Sequence, residues 1–283
     1  MLADLHTHTS RSDGVLAPGE LVRQARAAGL ECIALTDHDS LAGVEEALAA
    51  GSGVGLRVIA GVELSVRDAE RNDEHLLGWF IDPSSAVLQA YLAELQASRR
   101  AMAAQTLKLL AGLGVPVSAE RVAELAAGAV VTRPHIARAM VEAGHVGSER
   151  EAFERYLGTG QPASAERPSP SPERAIGAIR SAGGVAGLAH PVFEQDGNAR
   201  ERRASVAVRV DRLAEQGLAA VECFYPDASD ALRVDLARLA ATRGLVATGG
   251  TDYHGPEKAP FAPLGTVTAP PDTVQALERL ARP

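Results

Sequence analysis

The sequence predicts an α/β barrel of parallel strands, opened once by a helical insertion, and three observations carry that expectation. Short apolar runs alternate with helix-period patterns over residues 1–83 and again over 168–283. The alternation stops between them, where residues 84–167 read as helices alone. Histidines and carboxylates recur at the C-terminal ends of the proposed strands, the edge at which barrel enzymes gather their chemistry.

Each element follows from its pattern. "ADLHTHT" opens as a strand, and in "APGELVRQARAAGL" Leu21, Val22, Ala25 and Ala28 share one side of a helix. "CIALTDHD" reads as a strand, "SLAGVEEALAA" as a helix, then "RVIAGVELSV" and "EHLLGWFID" as strands. The insertion begins with "SAVLQAYLAELQASRRAMAAQTLKLLAGLG", a long helix ending at glycine. "SAERVAELA", "TRPHIARAMVEAG" and "SEREAFERYLG" follow as shorter helices. "ERPSPSPE", with Pro168, Pro170 and Pro172, reads as the return linker. The rhythm then resumes with "GVAGLAHP" (strand), a helix near 199–216, "AAVECFYP" (strand), a helix near 228–243 and "LVATGGTDYH" (strand). Residues 1–83 and 168–283 would therefore form the two parts of one barrel, and 84–167 a helical subdomain capping the substrate.

Composition excludes several function classes. With 28 basic and 36 acidic residues in 283, the formal charge is −8, so the whole surface is not that of a nonspecific nucleic-acid or membrane binder. An anionic substrate must be drawn by a local positive site. Cys32 and Cys223 lie in apolar strand-like runs, where buried thiols are the default, and two cysteines make no disulfide framework. A cytoplasmic protein is expected. No apolar run approaches the length of a membrane span, His6 and His8 come too early for a signal peptide to precede them, and no obligate protein partner is indicated.

The chemistry lies in nine residues. His6 and His8 end the first strand, His38 the second, Glu63 the third and His190 the one in "GLAHP". Asp252 and His254 end the last, Asp13 follows His8 in "TSRSDG", and His75 comes from "DEHLLG". Singly, each has an ordinary reading. Asp13-Gly14 is a turn, Asp39-Ser40 a helix cap, a strand histidine a hydrogen-bonded core residue. Together, six imidazoles and three carboxylates are too many for one ion and suit two or three. The set contains no cysteine, which argues against structural zinc and for Mn2+, with Fe2+ or catalytic Zn2+ as alternatives. Two or three divalent ions outweigh three carboxylates, so such a site stays cationic, holds a phosphate and brings the pKa of a bridging water to about 7. That water, not a protein side chain, would be the nucleophile of phosphoester hydrolysis.

The motifs "DLHTHTSRSDG", "ALTDHDS", "GVELS", "HLLGWFID", "GGVAGLAHP" and "GTDYHG" resemble, in order and over the whole barrel, those of the PHP (polymerase and histidinol phosphatase) superfamily. The resemblance implies a distorted (β/α)7 barrel with a trinuclear metal centre. His6, His8, Glu63 and Asp252 would hold one ion. Glu63, His75 and His190 would hold a second, and Asp13, His38 and His254 a third. The insertion's "RPHIARAMVEAGHV" and "AFERYLGTGQPA" are similar to the PHP phosphatases acting on nucleoside 3′,5′-bisphosphates, some of which also trim short oligonucleotides from the 5′ end. The expected reaction is removal of the 3′-phosphate, as from adenosine 3′,5′-bisphosphate to AMP.

Four cationic residues of the insertion are candidates for the non-reacting phosphate. Thr132 caps a helix in which Pro134 fits the first turn, placing Arg133 and His135 at an anion-binding N-terminus. Arg99 and Arg100 lie on the long helix, where arginine can grip phosphate with two hydrogen bonds. His145 suits a helix C-terminus. Three alternatives compete. A histidinol phosphatase would share the barrel motifs but not the "RPH" insertion. An amidohydrolase-type barrel would need a bridging lysine, and neither Lys108 nor Lys258 ends a strand. A non-catalytic PHP scaffold module would have lost ligands, and all nine are present.

Overall fold

The computed structural model describes residues 1–67, 73–129, 131–165, 170–191, 199–257 and 262–281. Seven strands form one sheet in chain order: β1 (Ala3–Thr7), β2 (Cys32–Leu35), β3 (Arg57–Arg67), β4 (Asp73–Trp79), β5 (Val185–Leu188), β6 (Ala220–Phe224) and β7 (Val246–Gly249). The sheet nearly closes on itself. Thr7 makes a parallel bridge with Tyr253 beyond β7, and Ala269 N donates to Ala3 O at 2.8 Å. Short apolar strands such as "CIAL" are buried on both faces, as parallel strands covered by helices must be.

The strands are not all parallel. β4 runs antiparallel to both β3 and β5, with Ser65 opposite His75 and Leu76 opposite Leu188. β3 changes partner along its length. Arg57–Ala60 pairs with β2, and the stretch from Gly61 to Arg67 continues beyond it as one arm of the β3–β4 ladder. Glu63 therefore sits within a strand, not at its end as the sequence pattern implies. The reversal has a consequence for the rim. Because β4 points the other way, its N-terminal end reaches the edge where the remaining strands end, and His75 is its third residue.

Inside the barrel Leu5, Ile59, Leu77, Trp79 and Ala220 pack together. Trp79 donates Nε1–H to Leu5 O at 2.9 Å, and since β1 and β4 are not neighbours in the sheet, this bond spans the interior. Outside, α1 (Pro18–Ala27) and α2 (Val44–Val54) cover β2 with Leu21, Val22, Ala25 and Val44.

Between β4 and β5 lie α3 (Ala86–Gly112), α4 (Ala119–Ala126), α5 (Arg133–Glu142) and α6 (Glu149–Ala152), the last running into a π-helical turn at Phe153–Leu157. Ser85 and Ser118 cap α3 and α4 by accepting from Leu88 N and Arg121 N. Leu110, Val122, Ile136, Met140 and Leu157 form an apolar cluster of their own. α3 belongs to both cores. Its first half puts Leu88, Leu92 and Leu95 against the barrel, and its second half puts Ala103 and Leu110 in the separate cluster.

After β4 and this insertion, α7 (Pro172–Ser181) starts at Pro172, which the sequence reading had placed in a linker. Its Ile176 and Ile179 are fully buried. Proline at the first helical position loses no hydrogen bond, so a proline-rich stretch can end in a helix start. Residues 166–169 of that linker and Lys258 lie outside the described residues. α8 (Ala199–Glu215), α9 (Asp230–Thr242) and α10 (Thr273–Leu280) complete the chain, and α10 also escaped the sequence reading. Among the described residues no helix is long and apolar enough to cross a membrane.

Candidate metal centre

Side chains two apart on a strand share a face, so "HTH" sends His6 and His8 the same way from the end of β1. Both are buried, with Nε2 atoms converging on two carboxylates. His6 Nε2 lies 3.2 Å from Glu63 Oε2 and 3.2 Å from Asp252 Oδ1, and His8 Nε2 lies 3.2 and 3.0 Å from the same two atoms. Glu63 is completely buried and extends the cluster in two directions. Its Oε1 is 3.0 Å from His75 Nδ1 and 3.1 Å from His190 Nε2, and its Oε2 is 3.0 Å from His38 Nδ1. On the far side of His8, Asp13 Oδ1 is 3.2 Å from His254 Nε2 and 4.0 Å from His38 Nε2.

Three sets can each surround an ion: His6, His8, Glu63 and Asp252; His8, Asp13, His38 and His254; and His38, Glu63 and His75. These sets hold eight of the nine residues named from the sequence, and His190 joins them through its 3.1 Å contact with Glu63 Oε1. The donor set also behaves as one built for cations. His6 Nε2, both ring nitrogens of His8, His38 Nδ1, His75 Nδ1, Glu63 Oε2 and Asp252 Oδ1 are buried atoms that make no hydrogen bond. Buried polar atoms are rarely left so. Here imidazole nitrogens and carboxylate oxygens converge on shared points, as the donor set of a divalent ion does.

The electrostatics match. Burial pushes the His8 imidazole down, but Asp252 and Glu63 outweigh it and hold its pKa at about 10. Burial likewise pushes Glu63 and Asp252 up, and the surrounding histidines reverse this, keeping both well below the usual carboxylate range. His38 is dominated by burial and falls to about 3 despite Glu63 and Asp13.

The backbone is bent to deliver these groups. His190 (φ 21°) and Asp252 (φ 50°) occupy the left-handed region, as does Asp39 (φ 49°) beside His38. A Cβ on Gly250 would stand 2.5 Å from His6 N, and one on Gly14 would stand 2.6 Å from His8 O, so both turns need glycine to pass the histidine strand.

A ring of buried acids supports the ligands, and these the sequence reading missed. Asp4 accepts from Thr251 N and Thr251 Oγ1, fixing the turn that carries Asp252. Asp37 accepts from Thr9 N, Thr9 Oγ1 and Ser12 Oγ, fixing the loop that carries Asp13. Glu222, on β6, is within 3.1 Å of His6 Nδ1 and accepts from His190 N at 2.8 Å. The available signal was an acid inside an otherwise apolar strand run, as in "ADLHT" and "AVECF".

The four cationic candidates are placed differently. Arg99 is buried, donating from Nε to Asp39 Oδ2 at 2.6 Å and from Nη2 to Ser65 Oγ at 2.7 Å, so two of its nitrogens hold the rim. Arg100, next on the helix, is exposed. Thr132 is the N-cap of α5 with Pro134 in the first turn, and His135 Nδ1 accepts from Thr132 N at 3.1 Å in a capping box. Arg133 is part-exposed, with Nη1 3.4 Å from Leu157 O and Nη2 3.8 Å from Asp73 Oδ2, two residues before His75.

A nearly closed seven-stranded barrel that gathers six histidines and three carboxylates at one place defines a class of metal-dependent hydrolase. Residues 4–127 match the PHP domain family, and the chain belongs to that family. It is 35% identical over 253 residues to the 5′-3′ exoribonuclease of Haemophilus influenzae, covering 89% of this chain and 90% of that one. It is 33% identical to the 3′,5′-nucleoside bisphosphate phosphatase of Chromobacterium violaceum, over 89% of this chain and 87% of that one. Among solved structures, a protein from Bifidobacterium adolescentis assigned as a metal-dependent phosphoesterase superposes with a TM-score of 0.87 at 30% identity, covering 99% of this chain and 96% of that one. The chain is a metal-dependent phosphoesterase.

Proposed function

We propose that this phosphoesterase removes the 3′-phosphate of nucleoside 3′,5′-bisphosphates and, with the same site, trims short oligonucleotides from the 5′ end. The observation that carries the proposal is the position of Arg133. It stands at the N-terminus of the ten-residue helix α5, and its guanidinium reaches Asp73 on the strand that carries His75. A helix N-terminus with an arginine is an anion site. Beside a phosphate-hydrolysing centre it selects a molecule bearing a second phosphate. The names of the two curated relatives, a bisphosphate phosphatase and an exoribonuclease, support the same substrate class.

In this reading His6, His8, Glu63 and Asp252 hold one ion, Glu63, His75 and His190 a second, and Asp13, His38 and His254 a third, with Mn2+ as the native metal and Fe2+ or Zn2+ accepted by the same donors. Divalent ions there supply Lewis-acid neutralisation of phosphoryl charge and a nucleophile drawn from water. The chain's own part is to hold and to orient. The hydroxyls of Thr9, Ser12 and Thr251 each donate to a buried aspartate, so they serve the scaffold and not nucleophilic attack. Arg133, with Arg100 and with His135 at the same helix start, binds the 5′-phosphate.

Phosphate release from adenosine 3′,5′-bisphosphate, AMP, histidinol phosphate and short RNA tests the reading directly. The Mn2+-loaded enzyme should turn over the bisphosphate best, yielding AMP, and chelation should abolish all activity. Arg133→Ala should lower kcat/KM for the bisphosphate about tenfold to several hundredfold, the size of a lost charged contact. A preference for histidinol phosphate, or release of the 5′-phosphate first, would overturn it.

A further inference from the structure

Glu222 touches two of the nine ligands and belongs to neither of their sets. It lies on β6, 1% exposed. Its Oε1 and Oε2 are 3.1 and 3.3 Å from His6 Nδ1, and Oε2 also accepts the main-chain N–H of His190 at 2.8 Å. A carboxylate can only accept, so His6 keeps its proton on Nδ1. That leaves Nε2, the nitrogen 3.2 Å from both Glu63 and Asp252, as the one facing the centre. On its other side the same carboxylate ties down His190 at φ 21°, a conformation that residues other than glycine seldom adopt. The two rings lie nearly parallel, with centroids 5.7 Å apart and planes 16° from each other, as if set by one support.

We infer that Glu222 is a positioning residue that sets a ligand of two different ions at once, fixing the tautomer of His6 and the main chain of His190. The inference rests on the metal-centre reading above. Outer carboxylates on ligating histidines commonly contribute about 10- to 100-fold in metal affinity. Here a single carboxylate serves two sites, so its loss should weaken both. Gln has nearly the same shape but presents one acceptor and one donor. Whichever way it is turned, its NH2 faces the Nδ1–H of His6, donor against donor, because both carboxylate oxygens lie within 3.3 Å of that nitrogen.

The test is Co2+ titration of the full-length chain and of Glu222→Gln, followed by calorimetry and by the visible absorption of the bound ion. The variant should bind Co2+ about 10- to 100-fold more weakly in two of its binding steps, with an altered spectrum. A merely structural role would lower the unfolding midpoint of the ion-free chain and leave affinity and spectrum where they were. Because the variant can fail to fold, histidine-selective 15N NMR of the Zn2+-loaded wild-type chain gives an independent reading. The His6 proton should be on Nδ1. A folded Glu222→Gln with unchanged Co2+ affinity, or a His6 proton on Nε2, overturns the role of Glu222 alone. A wild-type chain that binds no Co2+ overturns the metal-centre reading and this inference with it.

Discussion

Arg99, on the long insertion helix, donates to Asp39 Oδ2 at 2.6 Å, one residue beyond His38. Asp39 is fully buried and also accepts from Ser65 N, while its own carbonyl accepts from Gln96 on the same helix. The insertion is thereby fastened to the rim of the metal centre by charge as well as by apolar packing. Removing one partner of a buried pair leaves an uncompensated charge, at a cost of roughly 3–5 kcal/mol. Arg99→Ala should therefore lower the chemical-denaturation midpoint by a corresponding amount, and Arg99→Lys should recover only part of it, since one ammonium must replace two guanidinium nitrogens. A variant of normal stability whose KM alone has risen would show that Arg99 is a substrate contact instead.

Proton release should accompany ion binding. In the ion-free chain the His8 pKa stands at about 10 against an ordinary 6.5. A raised histidine contributes stability that is fully present below pH 6.5 and is lost as the pH climbs through 10, so the chelated protein should become less stable from pH 7 to pH 10. An ion must displace that proton, and apparent affinity should rise with pH over the same interval. Calorimetry at pH 8 in two buffers of different ionisation enthalpy measures the protons released. Equal heats in both would contradict this.

Gly250 lets the turn before Asp252 pass the His6 strand. In Gly250→Ala the new methyl would stand 2.5 Å from His6 N, closer than any relaxed contact allows. The strand or the turn must move, at a cost of about 1–3 kcal/mol, and either movement separates Asp252 from His6 and His8. The expected result is a folded but weaker metal binder, read by Co2+ titration alongside thermal unfolding. Wild-type affinity would mean that the turn relaxes without consequence.

The two thiols should be inert in the native protein. Burial pushes Cys32 and Cys223 up to about 12, so the thiolate is scarce at neutral pH. Neither should react with an aromatic disulfide reagent at pH 8 until denaturant is added, when both should titrate. Fast labelling of either in native buffer would refute their burial.

The candidate ligands were legible because metal chemistry restricts residue type, and "HTH", "TDH", "AHP" and "TDYH" each stand where a strand ends. The alternation of strand and helix was legible because buried strands are apolar throughout and covering helices are apolar on one side. The supporting acids were less visible. Asp4, Asp37 and Glu222 look like isolated faults in apolar runs until their partners, 247, 28 and 216 residues away, are brought beside them.

By itself, then, the sequence marked which side chains have metal-binding chemistry and which segments form most of the strands and helices, α10 excepted. Only the tertiary structure decided the direction of β4, because an apolar strand reads the same in either direction and its orientation is set by the hydrogen bonds of β3 and β5. That reversal carries His75 to the rim. It also decided the fate of Arg99, whose pairing with Asp39 depends on the docking of a helix 60 residues further along the chain. Residue chemistry is local and can be read locally. Partnership is a property of distance in space, and that distance exists only in the folded chain.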